Sequence, residues 1–346
     1  MVPYYAIALQ TTVNAVNGCT TRNEARSVMD TTLERLKVEI FAAKKFIGSD
    51  VRLVVLPEYF LTAYPMGDTI KGWAEKASLS ADGPEYAKLG GIAKDNDIFI
   101  SGNAYEVDPH FEGLYFQTSF IIDPKGEVIL RYRRLNSMFS PTPHDVWDKY
   151  LDIYGLEGVF PVADTEIGKL ACIASEEILY PEIARMFFIR GAEVGLHSTG
   201  EIGSTIETPK SISRKARAVE NMGYIVSANS GGISGHSLPI SSTDGKSVII
   251  DYRGIVLAES GWGPTMTTFA SIDLAALRRY RERPGMGNYL SRQRFELFAD
   301  GYANLATQKA NNLMESDGSV RQPQRSDFEQ AQSQALSIMR KRGFFD

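Results

Sequence analysis

The 346-residue sequence contains only two cysteines, Cys19 and Cys172, too few to give a chain of this length a disulfide framework. Its four histidines show no metal-ligand spacing, and it has no C-x-x-C motif. It also lacks the roughly 18 consecutive apolar residues of a membrane span and the basic and apolar regions of a signal peptide. These absences favour a cytoplasmic protein that has neither a bound metal nor another cofactor.

An excess of basic residues is also missing. The sequence has 37 lysines and arginines against 42 aspartates and glutamates, which gives a net charge of -5. Nothing in this balance favours binding to a phosphate backbone or to an anionic membrane surface. The 43% of hydrophobic residues is enough to form an ordinary globular core. We therefore expect a small molecule, not nucleic acid or a membrane, as the partner.

The order of predicted elements indicates an α/β fold. Residues 4–9, 51–56 and 98–101 are short apolar runs typical of strands, and residues 23–46 and 84–94 between them have apolar residues at helical spacing. Two hairpins follow, at residues 118–132 and 247–259, each with a turn that contains glycine. Further single strands are predicted at residues 169–174, 193–197 and 224–229. Two sheets with helices on their outer faces would accommodate these elements.

No repeat or linker divides the chain, so we expect one domain over residues 1–300. Residues 274–281 and 290–298 have helical patterns, and the sequence becomes polar and glutamine-rich after Gln308. We expect residues 301–346 to form a C-terminal tail, partly disordered, that serves as an oligomerisation arm.

The first two candidate site residues follow strand patterns. Glu58 comes directly after the run at residues 51–56, and the ends of strands in α/β sheets are common positions for sites. Arg134 ends a second run, in which alternation places Arg131 and Arg133 on one face and Tyr132 and Arg134 on the other. An inward-pointing Arg134 would need a carboxylate partner, whereas an exposed basic edge strand would need none.

The third candidate, Ser175, ends another strand pattern just before a helix that begins with proline. A turn between a strand and a helix can expose a nucleophile near helix amides, although serine also caps such turns without any catalytic role. Cys172 lies three residues upstream, and this odd separation turns its side chain to the opposite face of the strand. We therefore expect Cys172 to be a buried core thiol.

In their order and spacing, these segments resemble the nitrilase, or carbon-nitrogen hydrolase, superfamily over about residues 4–298. Residues 56–65, LPEYFLTAYP, are similar to the family segment with the general-base Glu, which Glu58 matches. Residues 132–136, YRRLN, resemble Tyr-Arg-Lys-x-His, so Arg134 takes the position of the catalytic Lys. Residues 175–182, SEEILYPE, resemble Cys-x-Asp/Glu-x-x-Phe/Tyr-Pro-Glu, so Ser175 takes the position of the nucleophilic Cys.

The resemblance implies a four-layer αββα sandwich that assembles into homodimers or larger homo-oligomers. It also implies acyl-transfer chemistry on a small nitrile or amide, in which a thiolate attacks, the Lys stabilises the tetrahedral species and the Glu moves protons. The two replacements change this expectation. A serine hydroxyl is far less acidic than a thiol, and an arginine cannot give up its proton at a working pH, so standard thiol nitrilase chemistry is not expected.

Other candidates are less sharply defined. The family has a second Glu that orients the Lys, and Asp145, Asp148 and Glu157 all fall in the window where it would lie. Spacing selects none of the three. The candidates for substrate binding are neighbours of the matched residues or follow a predicted strand, namely Tyr59, Asp145, Glu157, Glu177 and His197.

Three interpretations follow. In the first, Glu58 activates Ser175 or a water molecule and Arg134 stabilises the oxyanion, which gives a hydrolase or acyl-transfer enzyme for C-N or ester bonds. In the second, the protein is a catalytically inactive homologue that binds a small amide, a carboxylate or a protein partner. In the third, Ser175 was engineered to trap a substrate, in which case position 134 should have stayed Lys. We favour the first, because an inactive site has no need of Glu58 and a cation.

Overall fold

The computed structural model describes residues 2–345. Its strands are β1 (Tyr4–Ala8), β2 (Val13–Asn14), β3 (Val51–Val55), β4 (Leu79–Ser80), β5 (Phe99–Val107), β6 (Tyr115–Ile122), β7 (Val128–Arg133), β8 (Ala163–Thr165), β9 (Gly168–Ala174), β10 (Val194–Ser198), β11 (Tyr224–Ala228), β12 (Ile233–Ser234), β13 (Val248–Ile250), β14 (Val256–Glu259) and β15 (Phe269–Ile272). Its helices are α1 (Arg22–Ile47), α2 (Ile70–Ala77), α3 (Pro84–Asn96), α4 (Trp147–Tyr154), α5 (Pro181–Ile189), α6 (Pro209–Glu220), α7 (Leu274–Glu282), α8 (Tyr289–Arg292), α9 (Glu296–Ala303) and α10 (Arg325–Lys341).

Two large mixed sheets carry the fold. The first has the strand order β15-β1-β3-β5-β6-β7, with β4 paired to β5, and its central pairs β1–β3 and β3–β5 are parallel. The second has the order β14-β13-β11-β10-β9-β8, and its central strands β9, β10 and β11 are parallel. The two predicted hairpins are confirmed as β6–β7 and β13–β14.

The two sheets face each other, and helices cover their outer sides. Helices α1 and α3 pack on the first sheet, whereas α5 and α6 pack on the second. Strands β6 and β9, and strands β1 and β11, contact each other across the interface between the sheets. The result is the four-layer αββα sandwich that the sequence predicts, with an apolar core between the sheets and further cores beneath the helices.

Helix α1 shows how local sequence sets these layers. Thr21 caps its N-terminus by accepting a hydrogen bond from the backbone N–H of Glu24, while the Glu24 carboxylate accepts one in return from the backbone of Thr21. Leu33, Leu36 and Ile40 recur at helical spacing and are fully buried against the first sheet. This long amphipathic helix therefore covers one outer face of the sandwich.

The C-terminal segment differs in detail from the prediction. The single helix expected over residues 290–298 is wrong, because the chain forms α8 and then α9, separated by an extended residue at Gln293. Most of this segment is exposed, so little burial favours one continuous helix. Residues 311–313 instead hydrogen-bond to the loop at His144 and Asp145. The boundary at residue 300 stays a prediction. No helix within residues 2–345 combines the length and apolarity that crossing a membrane requires.

Candidate active site

The candidate site lies where strands of the two sheets end together. Glu58 follows β3 in the first sheet, and its backbone N–H donates a hydrogen bond to the Thr199 carbonyl, 3.2 Å away, just after β10 in the second sheet. The Ser198 hydroxyl also donates to the Leu56 carbonyl at 2.8 Å. These bonds join the carboxyl ends of β3 and β10, so polar groups that follow either strand meet between the sheets.

A buried polar network connects Glu58 to Arg134. The side-chain amide of Gln117, on β6, donates to Glu58 Oε1 at 2.7 Å and to Asn103 Oδ1 at 3.1 Å. The amide oxygen of Gln117 accepts a hydrogen bond from Arg134 Nη1 at 2.6 Å. Arg134 Nη1 also lies 3.8 Å from Glu58 Oε1, which makes an ion pair. Gln117 therefore fixes both partners.

The remaining edges of the Arg134 guanidinium are also engaged. Its Nε donates to the backbone carbonyl of Asn136, and its Nη2 pairs with the carboxylate of Glu176. Burial disfavours the charged guanidinium, but the neighbouring acidic groups outweigh burial and raise the pKa of Arg134 above its usual value. Arg134 is thus a fixed cation that bonds to the residue directly after Ser175.

Ser175 lies at a sharp turn between β9 and α5. Its φ of 50° is in the left-handed region, which is unfavourable for a residue with a side chain, and a short 3-10 turn over Ser175–Leu179 follows before Pro181 begins α5. The Ser175 hydroxyl makes no hydrogen bond to another residue within 2–345. The turn therefore presents a hydroxyl that no described side chain engages, at the kind of strand-to-helix turn that can expose a nucleophile.

His197 holds this turn through a hydrogen bond to its backbone. The fully buried imidazole lies 2.8 Å from the backbone carbonyl of Ser175 through Nε2 and 2.8 Å from the Ser227 hydroxyl through Nδ1. Burial, helped by the positive charge of Arg214, holds the pKa of His197 well below its usual value, so the ring is neutral. Since the carbonyl can only accept, Nε2 carries the proton and Nδ1 accepts from Ser227. His197 thus fixes the backbone of Ser175.

Glu177 fixes the segment that carries Arg134. Its buried carboxylate accepts hydrogen bonds from the Tyr132 hydroxyl at 2.6 Å and from the backbone N–H groups of Leu135 and Asn136, both at 2.9 Å. Burial raises the pKa of Glu177, although Arg134 and these donors oppose the rise. The contacts make Glu177 a positioning residue for the chain around Arg134.

Two other predicted residues lie near the site, and one lies outside it. The half-buried Tyr59 stacks on Tyr105 at 4.8 Å between ring centroids, and burial and the adjacent Glu58 charge raise the pKa of its phenol. Asp145 caps a short helix by accepting hydrogen bonds from the Thr142 N–H and hydroxyl. The Glu157 side chain is 88% exposed and pairs with Arg190 at 2.6 Å. The structure therefore does not bring Glu157 together with the other candidates.

The two faces of β7 are as the alternation predicts. Arg131 and Arg133 both point to Glu106, while Tyr132 and Arg134 point to the site. The prediction for Cys172 is also confirmed, since its thiol is fully buried beside Ser101, and burial raises its pKa to about 12. A thiol in this state is not a nucleophile.

The sequence interpretation missed Gln117 and Asn103. Both are fully or almost fully buried polar residues inside strands; Gln117 connects Glu58 to Arg134, and Asn103 accepts a hydrogen bond from Gln117. The available signal was a long polar side chain in an apolar strand, residues 115–122, which needs a buried partner. Within residues 2–345, no three His, Cys, Asp or Glu side chains are grouped closely enough to hold a metal ion.

Comparison with protein families gives a match over most of the chain. The carbon-nitrogen hydrolase family model matches residues 8–282. A formamidase from Bacillus thuringiensis (strain Al Hakam) is 28% identical over 214 residues, which are 61% of this chain and 60% of the formamidase. A formamidase from Bacillus cereus (strain AH820) matches to the same extent. The chain therefore spans about 60% of the length of these curated relatives.

Solved structures show the same fold. Nit3 from Saccharomyces cerevisiae, a member of branch 10 of the nitrilase superfamily, has a TM-score of 0.62 at 20% identity and covers 84% of this chain and 97% of its own. An amidase from Nesterenkonia sp. has a TM-score of 0.61 at 21% identity, over 86% of this chain and 96% of its own. A mutant of the amidase from Nesterenkonia sp. AN1, solved in complex with butyramide, has a TM-score of 0.61 at 22% identity, with the same coverage.

Proposed function

Because this chain belongs to the carbon-nitrogen hydrolase family, we propose that it is a hydrolase or acyl-transfer enzyme that cleaves the C-N bond of a small amide. The proposed catalytic residues are Glu58 as general base, Ser175 as nucleophile and Arg134 as the cation facing the developing charge. Amide substrates are favoured over nitriles because a serine hydroxyl is a poor equivalent of the thiol that nitrile addition needs. Formamidases and amidases among the similar proteins support this choice.

One observation carries the proposal. A carboxylate with one oxygen held by Gln117 lies 3.8 Å from a buried guanidinium. That guanidinium bonds to the residue after a serine at a left-handed turn. A general base needs a fixed orientation, and an oxyanion needs a fixed positive charge.

The proposed reaction proceeds in two steps. Ser175 Oγ forms a bond to the amide carbon while its proton passes to Glu58, and the negative charge on the carbonyl oxygen faces Arg134. The C-N bond then breaks as Glu58 returns the proton to the leaving nitrogen, which departs as ammonia or an amine. A water molecule then attacks the resulting ester as its proton passes to Glu58, the ester C-O bond breaks, and Glu58 returns that proton to Ser175 Oγ as the carboxylic acid leaves. Another acceptor in place of water would give acyl transfer.

The test is a panel of amides, carbamoyl compounds and esters, scored by turnover and by mass spectrometry of the intact protein. We expect an acyl group on Ser175 and turnover of at least one amide or activated ester. Ser175→Ala should lose both and keep the wild-type melting temperature. A folded wild type that neither hydrolyses nor becomes acylated by any compound would contradict the proposal.

A ligand-binding homologue without catalysis is the second candidate. It is favoured by the engagement of Arg134 with Gln117, Asn136 and Glu176, which leaves few of its N–H groups for an oxyanion. In that case the wild type would bind a small amide or carboxylate without turnover. Ser175→Cys together with Arg134→Lys would then confer amidase activity, whereas each single change would do little, because nucleophile and cation act as a unit.

We also propose that the protein forms homo-oligomers through its C-terminal part. Leu297, Phe298 and Tyr302 of α9 expose 67%, 48% and 60% of their surfaces, an unusual concentration of apolar area on one short helix. Light scattering should give a mass above the 38.3 kDa of one chain. Leu297→Glu with Phe298→Glu should lower that mass, and a wild type that stays monomeric would contradict this proposal.

A further inference from the structure

A cavity of about 490 Å³ adjoins the candidate active site. Its walls come from the loop after Arg134, from Val159 and Phe160, from the turn after Ser175 and from the C-terminal segment. The C-terminal wall includes Phe328 and Ala331 of α10, which lie about 150 residues along the chain from Ser175. A volume of this size is within the usual range of about 300–1,000 Å³ for small-molecule pockets.

Two of its lining residues are direct ligands of Arg134. Glu176 lines the cavity and pairs with Arg134 Nη2, and Asn136 lines the cavity while its carbonyl accepts from Arg134 Nε. Glu176 also follows Ser175 in the chain, so their Cα atoms are about 3.8 Å apart. The Glu176 side chain is 30% exposed and stands between the cavity and the guanidinium. Glu58, Arg134 and Ser175 do not line the cavity themselves, so Glu176 and Asn136 are its direct connection to them.

The lining residues define the chemistry that the cavity accepts. Trp147, Phe160, Tyr180 and Phe328 provide aromatic surface from four separate parts of the chain. The ionisable lining residues are His144, Asp145 and Glu176, and among the described residues that line the cavity there is no lysine or arginine. A ligand carboxylate would thus meet the carboxylates of Asp145 and Glu176, and His144 is the one lining side chain that can carry a positive charge. An uncharged aromatic group is not repelled by these two carboxylates.

We propose that this cavity binds the acyl portion of the substrate and selects uncharged amides with an aryl-sized group over very small amides and over carboxylate-bearing ones. The C-terminal helix α10 is then a specificity element, because Phe328 and Ala331 form part of the cavity wall. The selection of substrates rests on the proposed function, whereas binding to the cavity does not. An amide of only a few atoms would leave most of the volume empty and gain little from these walls.

Binding can be measured without turnover by titrating Ser175→Ala with three probes, namely acetamide, phenylacetamide and phenylacetamide with a para-carboxylate. Calorimetry and the fluorescence of Trp147, with Trp147→Phe as the control for the signal, report occupancy. We expect phenylacetamide to bind at least about tenfold more tightly than the other two probes. Equal affinity for acetamide and phenylacetamide would overturn the proposal.

Two substitutions in α10 then locate the site. Phe328→Ala should weaken phenylacetamide binding about tenfold, whereas Leu336→Ala, which removes a half-exposed side chain from the same helix and does not line the cavity, should not change it. Ala331→Phe fills the cavity without removing any contact, so it should also block phenylacetamide even if Phe328→Ala folds poorly. Unchanged binding in Ala331→Phe would overturn the proposal.

The outcomes separate the two claims. Suppose that phenylacetamide binding is lost in Ala331→Phe, while no compound acylates the wild type or is hydrolysed by it. This result supports the cavity assignment and contradicts the proposed hydrolase. Turnover of acetamide by a protein that does not bind phenylacetamide supports the hydrolase and contradicts the cavity assignment.

Discussion

Arg133 and Arg134 are neighbours in the chain, and their side chains are almost equally buried, with 8% and 7% exposure. Arg133 pairs with Asp108 and Glu106 and lies against the rings of Phe116, Tyr150 and Tyr154. Arg134 instead lies between Glu58 and Glu176, beside the turn at Ser175 and a cavity. Burial and ion pairing are common to both, so neither identifies an active site. A nearby unused hydroxyl and a space for a ligand distinguish Arg134.

The largest expected difference between the two faces of β7 comes from replacing a carboxylate on each, Glu58 beside Arg134 and Glu106 beside Arg133. Glu58→Gln should lower turnover of the best amide by about a thousandfold, since the base is lost, while Gln117 can still donate to the new amide oxygen. Glu106→Gln should instead leave turnover per folded molecule nearly unchanged and lower the stability of the protein. It removes the charge partner of Arg131 and one of the two charge partners of Arg133, which keeps Asp108, and should lower the free energy of unfolding by about 3 kcal/mol.

Turnover per folded molecule and urea denaturation of both variants measure this contrast. If Glu106→Gln also abolished turnover in fully folded protein, the two sides of β7 would not be separable into a structural and a catalytic side.

A smaller difference is expected from a conservative change of each arginine. Arg133→Lys replaces a flat guanidinium, stacked among three aromatic rings, by a compact ammonium and should cost about 2 kcal/mol of unfolding free energy. Arg134→Lys keeps the positive charge beside Glu58 and should cost less than about 1 kcal/mol. Chemical denaturation of the two variants in parallel provides the measurement. Equal losses of unfolding free energy in the two variants would show that both arginines contribute to stability in the same way.

The smallest expected effect is a pH dependence of stability on the Arg134 side. The folded-state pKa of His197 is depressed, so the unfolded chain binds a proton first as the pH falls below about 6.5. Stability from this group is therefore complete above pH 6.5 and falls below it, by about 1 kcal/mol between pH 6.5 and 5.5.

His197→Gln cannot titrate, so its unfolding free energy should fall less over the same interval than that of the wild type. Denaturation curves of both proteins at the two pH values give the difference. Identical slopes would mean that His197 is not neutral in the folded protein.

Much of the fold could be predicted from the sequence because the apolar periodicity of its core elements is strong. The predicted hairpin at residues 118–132 became β6 and β7, and the alternation there correctly separated Arg133 from Arg134. The connection between Glu58 and Arg134 could not be predicted, because Gln117 lies 59 residues from Glu58 and only sheet pairing brings them together. The cavity wall from α10 was missed for the same reason, since no local pattern reveals a contact so distant in the chain.

The candidates taken from a window of sequence had mixed outcomes for a physical reason. Asp145 and Glu157 lie in a loop and a short turn, where no strand or helix period fixes the direction of a side chain. Glu157 consequently pairs with Arg190 on the surface. Glu177 also lies in a short turn, but hydrogen bonds from the Tyr132 hydroxyl and from the backbone N–H of Leu135 fix the direction of its side chain.

The left-handed conformation of Ser175 makes the cost of folding at this position independent of which nucleophile the side chain carries. The unfavourable φ of 50° belongs to the backbone and is the same for any residue with a Cβ atom, whether it carries a hydroxyl or a thiol. The rest of the protein, through His197 and the turn before Pro181, has to maintain that conformation in either case. A change of nucleophile at this position therefore meets almost no barrier from folding, so selection between a thiol and a hydroxyl here acts on reactivity, together with the cation at position 134.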